Sequence, residues 1–402
     1  MTVQLRDPII ADGGKRVSNR DDFFALLSGE RPDRLPCCHF GFWDEKSLHK
    51  LAPPDCVDEN ILCMPSDDPP RDAFSAAPRT DESRERAVRL ARHLDTAFIG
   101  VGKGGVTTFG HGGPAEIQPR VIERTPDCKI LQYEGGHKRR VNYNPHSIHY
   151  YDFPVKEQPD LETLQLPDMT DPWRYIDVEE DCRRFKEAGF VPTASIQGFF
   201  SGIHNSFMDF EDTLVNLMIE PDFMSRLTEI LARMSLSAVE MVMDRGVEVI
   251  DVCDDLGNRD GMIISPELFR RFFLPWYSEL VQLVHRRGGY VHLHSHGNIA
   301  PVMEDIASIG VDIVNPFDWE ENPDLPSLVE RYGDRIVFCG GIVGDLYRRP
   351  PEEVERIMRR AAGLARLASR GFIFRGPAGI DTLSVEEWEQ WGRMSLEARS
   401  SA

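Results

Sequence analysis

The sequence predicts a closed (β/α)8 barrel, a TIM-barrel α/β fold, and three observations carry that prediction. Eight short apolar runs, most of them rich in Val, Ile and Phe, are spread along 402 residues. From about residue 240 onward the runs alternate with helical segments, which implies parallel strands joined by right-handed crossovers. The length suits one large barrel with insertions, or two ordinary domains. We read a single barrel domain over residues 1–402, with excursions at about 50–90 and 105–155.

The first four runs are Leu35–Phe42 (LPCCHFGF), Thr96–Val101 (TAFIGV), Phe190–Gln197 (FVPTASIQ) and Val247–Cys253 (VEVIDVC). The last four are Gly289–Ser295 (GYVHLHS), Val311–Asn315 (VDIVN), Arg335–Cys339 (RIVFC) and Gly371–Arg375 (GFIFR). Each is five to eight residues long, as strands covered on both faces should be. The segment Pro266–Arg287 starts behind Ser265, a natural N-cap, and closes at Gly288-Gly289. Pro301–Ile309 stops at Gly310, and Ser327–Tyr332 stops at Gly333. Pro351–Arg370 opens with Glu352 and Glu353 and carries an apolar stripe through Val354, Ile357, Met358, Ala361, Ala362 and Ala365.

Before residue 190 the spacing is irregular. Pro53–Arg79 holds six Pro and many Asp and reads as a surface excursion. Val121–Tyr143 partly alternates apolar and polar residues and predicts a β-hairpin inserted near the barrel mouth. No fixed period of 20–50 residues recurs.

Charge narrows the function. With 46 Lys+Arg against 66 Asp+Glu, the net charge is −20. Nucleic-acid binding needs a basic surface, and anionic membranes repel such a chain. No stretch reaches the roughly 18 apolar residues of a spanning helix. Met1–Gly14 has no apolar core of a signal peptide. The eight Cys are scattered and include no C-x-x-C, which argues against a zinc ribbon and for a reducing cytoplasm.

The sharpest chemical feature is Val291-His292-Leu293-His294-Ser295-His296-Gly297-Asn298. On a strand, residues two apart point the same way, about 6.6 Å apart along the axis. His294 and His296 can therefore share one metal ion or act as acid/base groups, while His292 lies deeper. The alternative is buried histidines satisfied by hydrogen bonds. Asp254, in Asp251-Val252-Cys253-Asp254-Asp255, is a candidate metal ligand or acid/base, against a capping role. Cys339 is a candidate thiolate ligand, though a small buried Cys is commoner. His39, Phe42, Trp43, Gln197, Phe199, Asn315 and Trp319 end strand runs and are candidates to line a substrate pocket. Gly100–Gly105 (GVGKGG) matches a phosphate-loop pattern only formally, because no helix follows it.

Several segments together resemble the uroporphyrinogen decarboxylase superfamily, which includes the zinc-dependent methyltransferases of corrinoid methyl-transfer systems. They are DVCDDLGNRDGMIISPELFRRFFLPWY, VHLHSHGNIAPVMEDIASIGVDIVNPFDW, GDRIVFCGGI and GFIFRGPAGIDTLSVEEW. RDDFFALLSGERPDRLP near the start and the connector LPDMTDPWRY are similar as well. The resemblance implies the same barrel fold. The decarboxylases carry an Arg-rich segment after the first strand, where this chain reads HFGFWDEK, so the resemblance does not extend to uroporphyrinogen as substrate. The zinc methyltransferases place H-x-C where this chain has His294-Ser295-His296, and a further Cys where it has Ala378. The resemblance thus implies a metal held by His294 and His296, with Asp254 or Cys339 as substitutes for the missing thiolates.

Two neutral imidazoles leave more positive charge on a metal than thiolates do, which suits polarising an oxygen. The expected function is therefore a zinc-assisted methyltransferase that demethylates a small oxygen-bearing substrate, with a corrinoid protein as acceptor. Asp254, His294 and His296 are its expected catalytic residues. Two alternatives stand beside it: a decarboxylase or other lyase acting on a small carboxylic acid, and a non-catalytic ligand-binding barrel. A homodimer is compatible with each.

Overall fold

The computed structural model describes residues 19–38, 79–101, 120–143, 146–342, 349–375 and 384–400. In chain order the strands are β1 (Cys37–Cys38), β2 (Phe98–Gly100), β3 (Arg120–Arg124), β4 (Cys128–Gln132), β5 (Lys138–Tyr143), β6 (His146–Tyr151) and β7 (Val191–Gln197). They continue as β8 (Val249–Cys253), β9 (Gly257–Asn258), β10 (Gly261–Met262), β11 (Tyr290–His294), β12 (Ile313–Phe317), β13 (Val337–Gly340) and β14 (Phe372–Arg375). Every apolar run named above overlaps one strand of a single parallel sheet, in the order β1-β14-β13-β12-β11-β8-β7-β2, with β12 and β13 running past the ends of their runs. The edges meet where Ala97 N–H donates to Cys37 O at 2.8 Å, so the sheet curls into a nearly closed barrel. The fold class read from the sequence is the fold observed.

Helices pack outside. Ser265 caps Pro266–Leu268 through Leu268 N–H, and the chain runs on through one π-helical turn into Leu274–Arg286. Gly310, at φ 89°, ends Met303–Ile309 in the left-handed region that favours glycine. Pro351–Leu367 buries the predicted stripe. Among the described residues no helix is long and apolar enough to cross a membrane.

The hairpin predicted over Val121–Tyr143 is larger than two strands. β3 to β6 form a four-stranded antiparallel sheet around a small core of Val121, Leu131, Tyr133 and Val141. The turn from Tyr133 to His137 is closed by backbone bonds and by their rings, stacked 4.7 Å apart. Arg174 holds this sheet to the connector after it through a forked pair with Glu134.

A buried ionic cluster ties the helix Asp81–Leu94 to the helix Val178–Glu187. Arg84 Nε donates to Asp181 at 2.6 Å and its NH2 donates to Asp177 at 2.7 Å. Asp177 also accepts from Arg79 N–H at 2.6 Å. The Asp181 side chain is wholly buried, so removing its main partner strands a charge. Arg84→Met is expected to lower the unfolding free energy by about 3 kcal/mol, measured by urea denaturation. A loss below about 1 kcal/mol would mean that Arg79 or water compensates fully.

Candidate active site

Strand register decides which side chains meet inside the barrel. Asp251 on β8 sits opposite His292 on β11, and His294 sits opposite Asn315 on β12. Because strand side chains alternate, Asp251, Cys253, His292, His294, Asn315 and Cys339 share the inner face. Contacts agree: His292 Nδ1 and Asp251 Oδ1 are 2.7 Å apart, and His294 Nδ1 and Asn315 Oδ1 are 2.6 Å apart. Asn315 Nδ2 donates to Cys339 Sγ at 3.4 Å, and Cys339 Sγ lies 3.2 Å from Cys38 Sγ.

At the mouth, His294 and His296 face each other edge-on, with ring centroids 5.0 Å apart. His296 Nδ1 bonds Glu321 Oε1 at 3.1 Å, and Glu321 Oε2 accepts from Gly297 N–H. His296 N–H donates to Asp255 Oδ1 at 3.0 Å, which is also 3.9 Å from His294 Nε2. Gly297, at φ 87°, lets this loop pass against Gly257, where a side chain would collide with backbone atoms. Both imidazoles therefore have Nδ1 engaged by an oxygen. Burial and the neighbouring His296 push the His294 pKa down to about 4, so that ring is neutral at pH 7. The Glu321 carboxylate beside His296 raises the latter's pKa.

The residues singled out by sequence divide sharply. His294, His296 and Asn315 come together. Asp254 stands outside the group to which sequence reasoning assigns it. It follows the inward-facing Cys253 and so points to the helix layer, fully buried. Its oxygens accept from Phe200 N–H at 3.1 Å, Ser201 N–H at 2.7 Å and the Tyr277 hydroxyl. Gly198 makes room for it, since a Cβ there would sit 2.0 Å from that of Asp254. Burial raises its pKa, against the lowering effect of those three hydrogen bonds. Cys339 lies beneath Asn315 and not beside the two imidazoles. Among the described residues no three His, Cys, Asp or Glu side chains converge on a point that could hold a metal, so the four-residue ligand set is not assembled there.

Of the pocket candidates, Gln197 accepts from Ser206 Oγ at 3.3 Å. Phe199 is buried against Tyr277, ring centroids 4.9 Å apart, as packing and not as pocket wall. Trp319 donates to Gly341 O at 3.0 Å and lies under Arg360. His39, Phe42, Trp43 and Ala378 fall outside the described residues. Asp255, Glu321 and Arg375 are mouth residues that sequence reasoning missed. Alternation from Asp251 points Asp255 inward, and Arg375 ends the eighth apolar run; Glu321 carries no sequence signal.

Below the mouth, His292 and Cys339 are both buried on the inner face, and each is drawn toward its charged form. Burial works against a charged His292, but its bonds to Asp251 and Cys339 outweigh that and raise its pKa to about 9. Burial also works against the Cys339 thiolate, but Cys38 and His292 outweigh it and bring the thiol down to about 6.

The uroporphyrinogen decarboxylase (URO-D) family profile matches residues 139–384. A uroporphyrinogen decarboxylase of Alkalilimnicola ehrlichii is 24% identical over 52% of this chain and 58% of its own. One of Paraburkholderia phytofirmans is 23% identical over 50% and 57%. The chain thus spans less than two thirds of the length of these curated relatives. Among solved structures, a methyltransferase from Methanosarcina mazei superposes with a TM-score of 0.63 at 14% identity, covering 95% of this chain and 99% of that one. At that identity the likeness is one of fold.

The pair His292 and Cys339 has a pH window that follows from its two shifts. Cys339, lowered, is expected to hold a thiolate above about pH 6, and His292, raised, to stay protonated up to about pH 9. Ultraviolet thiolate absorbance, taken as wild type minus Cys339→Ser, should therefore rise near pH 6. In His292→Gln the rise should move up toward the ordinary thiol range. A difference signal that rises only above pH 8 in wild type would refute the pair.

Proposed function

The chain belongs to the uroporphyrinogen decarboxylase family, and from that premise we propose that it is a metal-assisted methyltransferase. It would move a methyl group from a small, oxygen-bearing substrate to a corrinoid on a partner protein, in the cytoplasm. The observation that supports this reading is the imidazole pair at the mouth. His294 and His296 each give Nδ1 to an oxygen, Asn315 Oδ1 and Glu321 Oε1, which leaves Nε2 of each ring as the donor. Histidines that bind zinc are commonly oriented this way, and a neutral His294 is ready to ligate.

Two imidazole donors suit zinc as a pair: His294 and His296 would hold two of its positions, while among the described residues no third ligand converges with them, Asp255 Oδ1 standing 3.9 Å from His294 Nε2. When bound, zinc supplies Lewis acidity toward an oxygen. The rest is done by the chain itself. Asn315 and Glu321 fix the two rings. Asp255 holds the end of β11 to the segment after β8 by accepting His296 N–H. Demethylation leaves the bonding pair on the departing oxygen, so the mouth must stabilise developing negative charge.

Decarboxylation of a small carboxylic acid is the second reading, suggested by the curated relatives. It needs an acid/base other than Asp254, whose carboxylate is engaged away from the lumen.

Elemental analysis of untagged protein is expected to find about one zinc per chain, lost in the His294→Ala/His296→Ala double variant. With zinc bound, methylated substrates should be demethylated only when a reduced corrinoid acceptor is present, and at least about a hundredfold more slowly in the variant. Undiminished turnover in the variant would remove this reading. Carbon dioxide release without a corrinoid would put the lyase in its place.

A further inference from the structure

Arg375 is the last residue of β14 and one of the most deeply buried arginines, 6% exposed. Its register partner across β1 is Cys38. Cys38 Sγ touches Cys339 Sγ inside the barrel, so Arg375 lies on the inward face, at the strand ends where the mouth opens. Its charge reaches His294, His296, Asp318 and Glu321. Yet it makes no hydrogen bond or ion pair with any described residue, and its Nε is buried without an acceptor.

The acids around it are already engaged. Asp318 accepts from the backbone N–H groups of Glu320 and Glu321, both at 3.0 Å. Glu321 is held by His296 and Gly297 N–H, and Asp255 by His296 N–H. Neither Asp318, Glu321 nor Asp255 comes within ion-pair distance of the guanidinium. A buried arginine with no counter-ion among its described neighbours is costly, because the charge has lost its water without gaining a partner from them. A ligand anion is what would balance it.

We infer that Arg375 is the docking point for a carboxylate on the substrate, beside the His294/His296 pair. A guanidinium fork matches a planar carboxylate through two parallel hydrogen bonds. A phosphate dianion fits less well, because the single cation already has the acids Asp318 and Glu321 within its reach. The inference rests on the reading of the histidine pair as the reaction centre and narrows its substrate class to small methoxy- or other oxygen-bearing carboxylic acids.

The test is binding, which needs neither metal nor corrinoid. Wild type, Arg375→Gln and Arg375→Lys would be titrated calorimetrically at neutral pH with acetate, methoxyacetate and 2-methoxybenzoate. The neutral amide of each acid and inorganic phosphate serve as comparisons. At least one acid is expected to bind wild type and to lose roughly tenfold to a hundredfold in affinity in Arg375→Gln, with partial retention in Arg375→Lys. Its amide should bind no better than the Gln variant binds the acid. Equal binding of acid and amide, undiminished binding by Arg375→Gln, a preference for phosphate, or silence across all three acids would each overturn the inference. Should the variants fail to fold, the acid-against-amide comparison in wild type decides alone. Carboxylate binding without demethylation would count against the methyl-transfer reading and leave the docking site standing.

Discussion

A line of hydrogen bonds runs up the inside of the barrel, and the candidate site depends on it. Asp251 bonds His292, His292 leans on Cys339, Cys339 accepts from Asn315, and Asn315 bonds His294. Barrel interiors are ordinarily filled by branched apolar side chains. Here the middle of the lumen is polar, and polar groups so deeply buried are tolerable only when each has its partner. The line also has a direction. Since the Asn315 amide donates to sulfur, its Oδ1 must face His294 and accept. His294 then carries its proton on Nδ1, and the Nε2 lone pair is what the mouth receives.

How much of this was legible in the sequence follows from what each signal encodes. The eight barrel strands were, because strands covered on both faces must be apolar throughout, and each run is short. Period two also separated His294 and His296 from the deeper His292. The four-stranded insertion was legible only in part, because β6, HSIHYY, shows no clean alternation: Ile148 is exposed, and His149 stacks on Tyr151. Glu321 was not legible at all: it comes from the loop after β12, and only the folded ring brings it to His296.

Asp254 shows where residue type misleads and geometry corrects. Three acids end β8, and composition cannot rank them. Alternation can: Asp251 and Asp255 face inward with Cys253 between them, while Asp254 turns to the helices. There it accepts two backbone N–H groups at the start of Ser201–Ser206 and the Tyr277 hydroxyl. It thereby binds β8 to two outer helices and holds the rim on which the site stands.

The same division of labour explains the charge balance at the mouth. A chain of net charge −20 repels anions at long range, though salt screens that beyond about 8 Å. An anion that reaches the mouth meets local charges, and these are arranged in its favour. Backbone N–H groups and His296 already satisfy the carboxylates of Asp318 and Glu321, which spreads their negative charge into the loop. Arg375 has no such partner among the described residues, and at 6% exposure little water screens it. Among the described residues, therefore, Arg375 brings to the imidazole pair a positive charge that no ion pair neutralises, although the molecule as a whole is strongly negative.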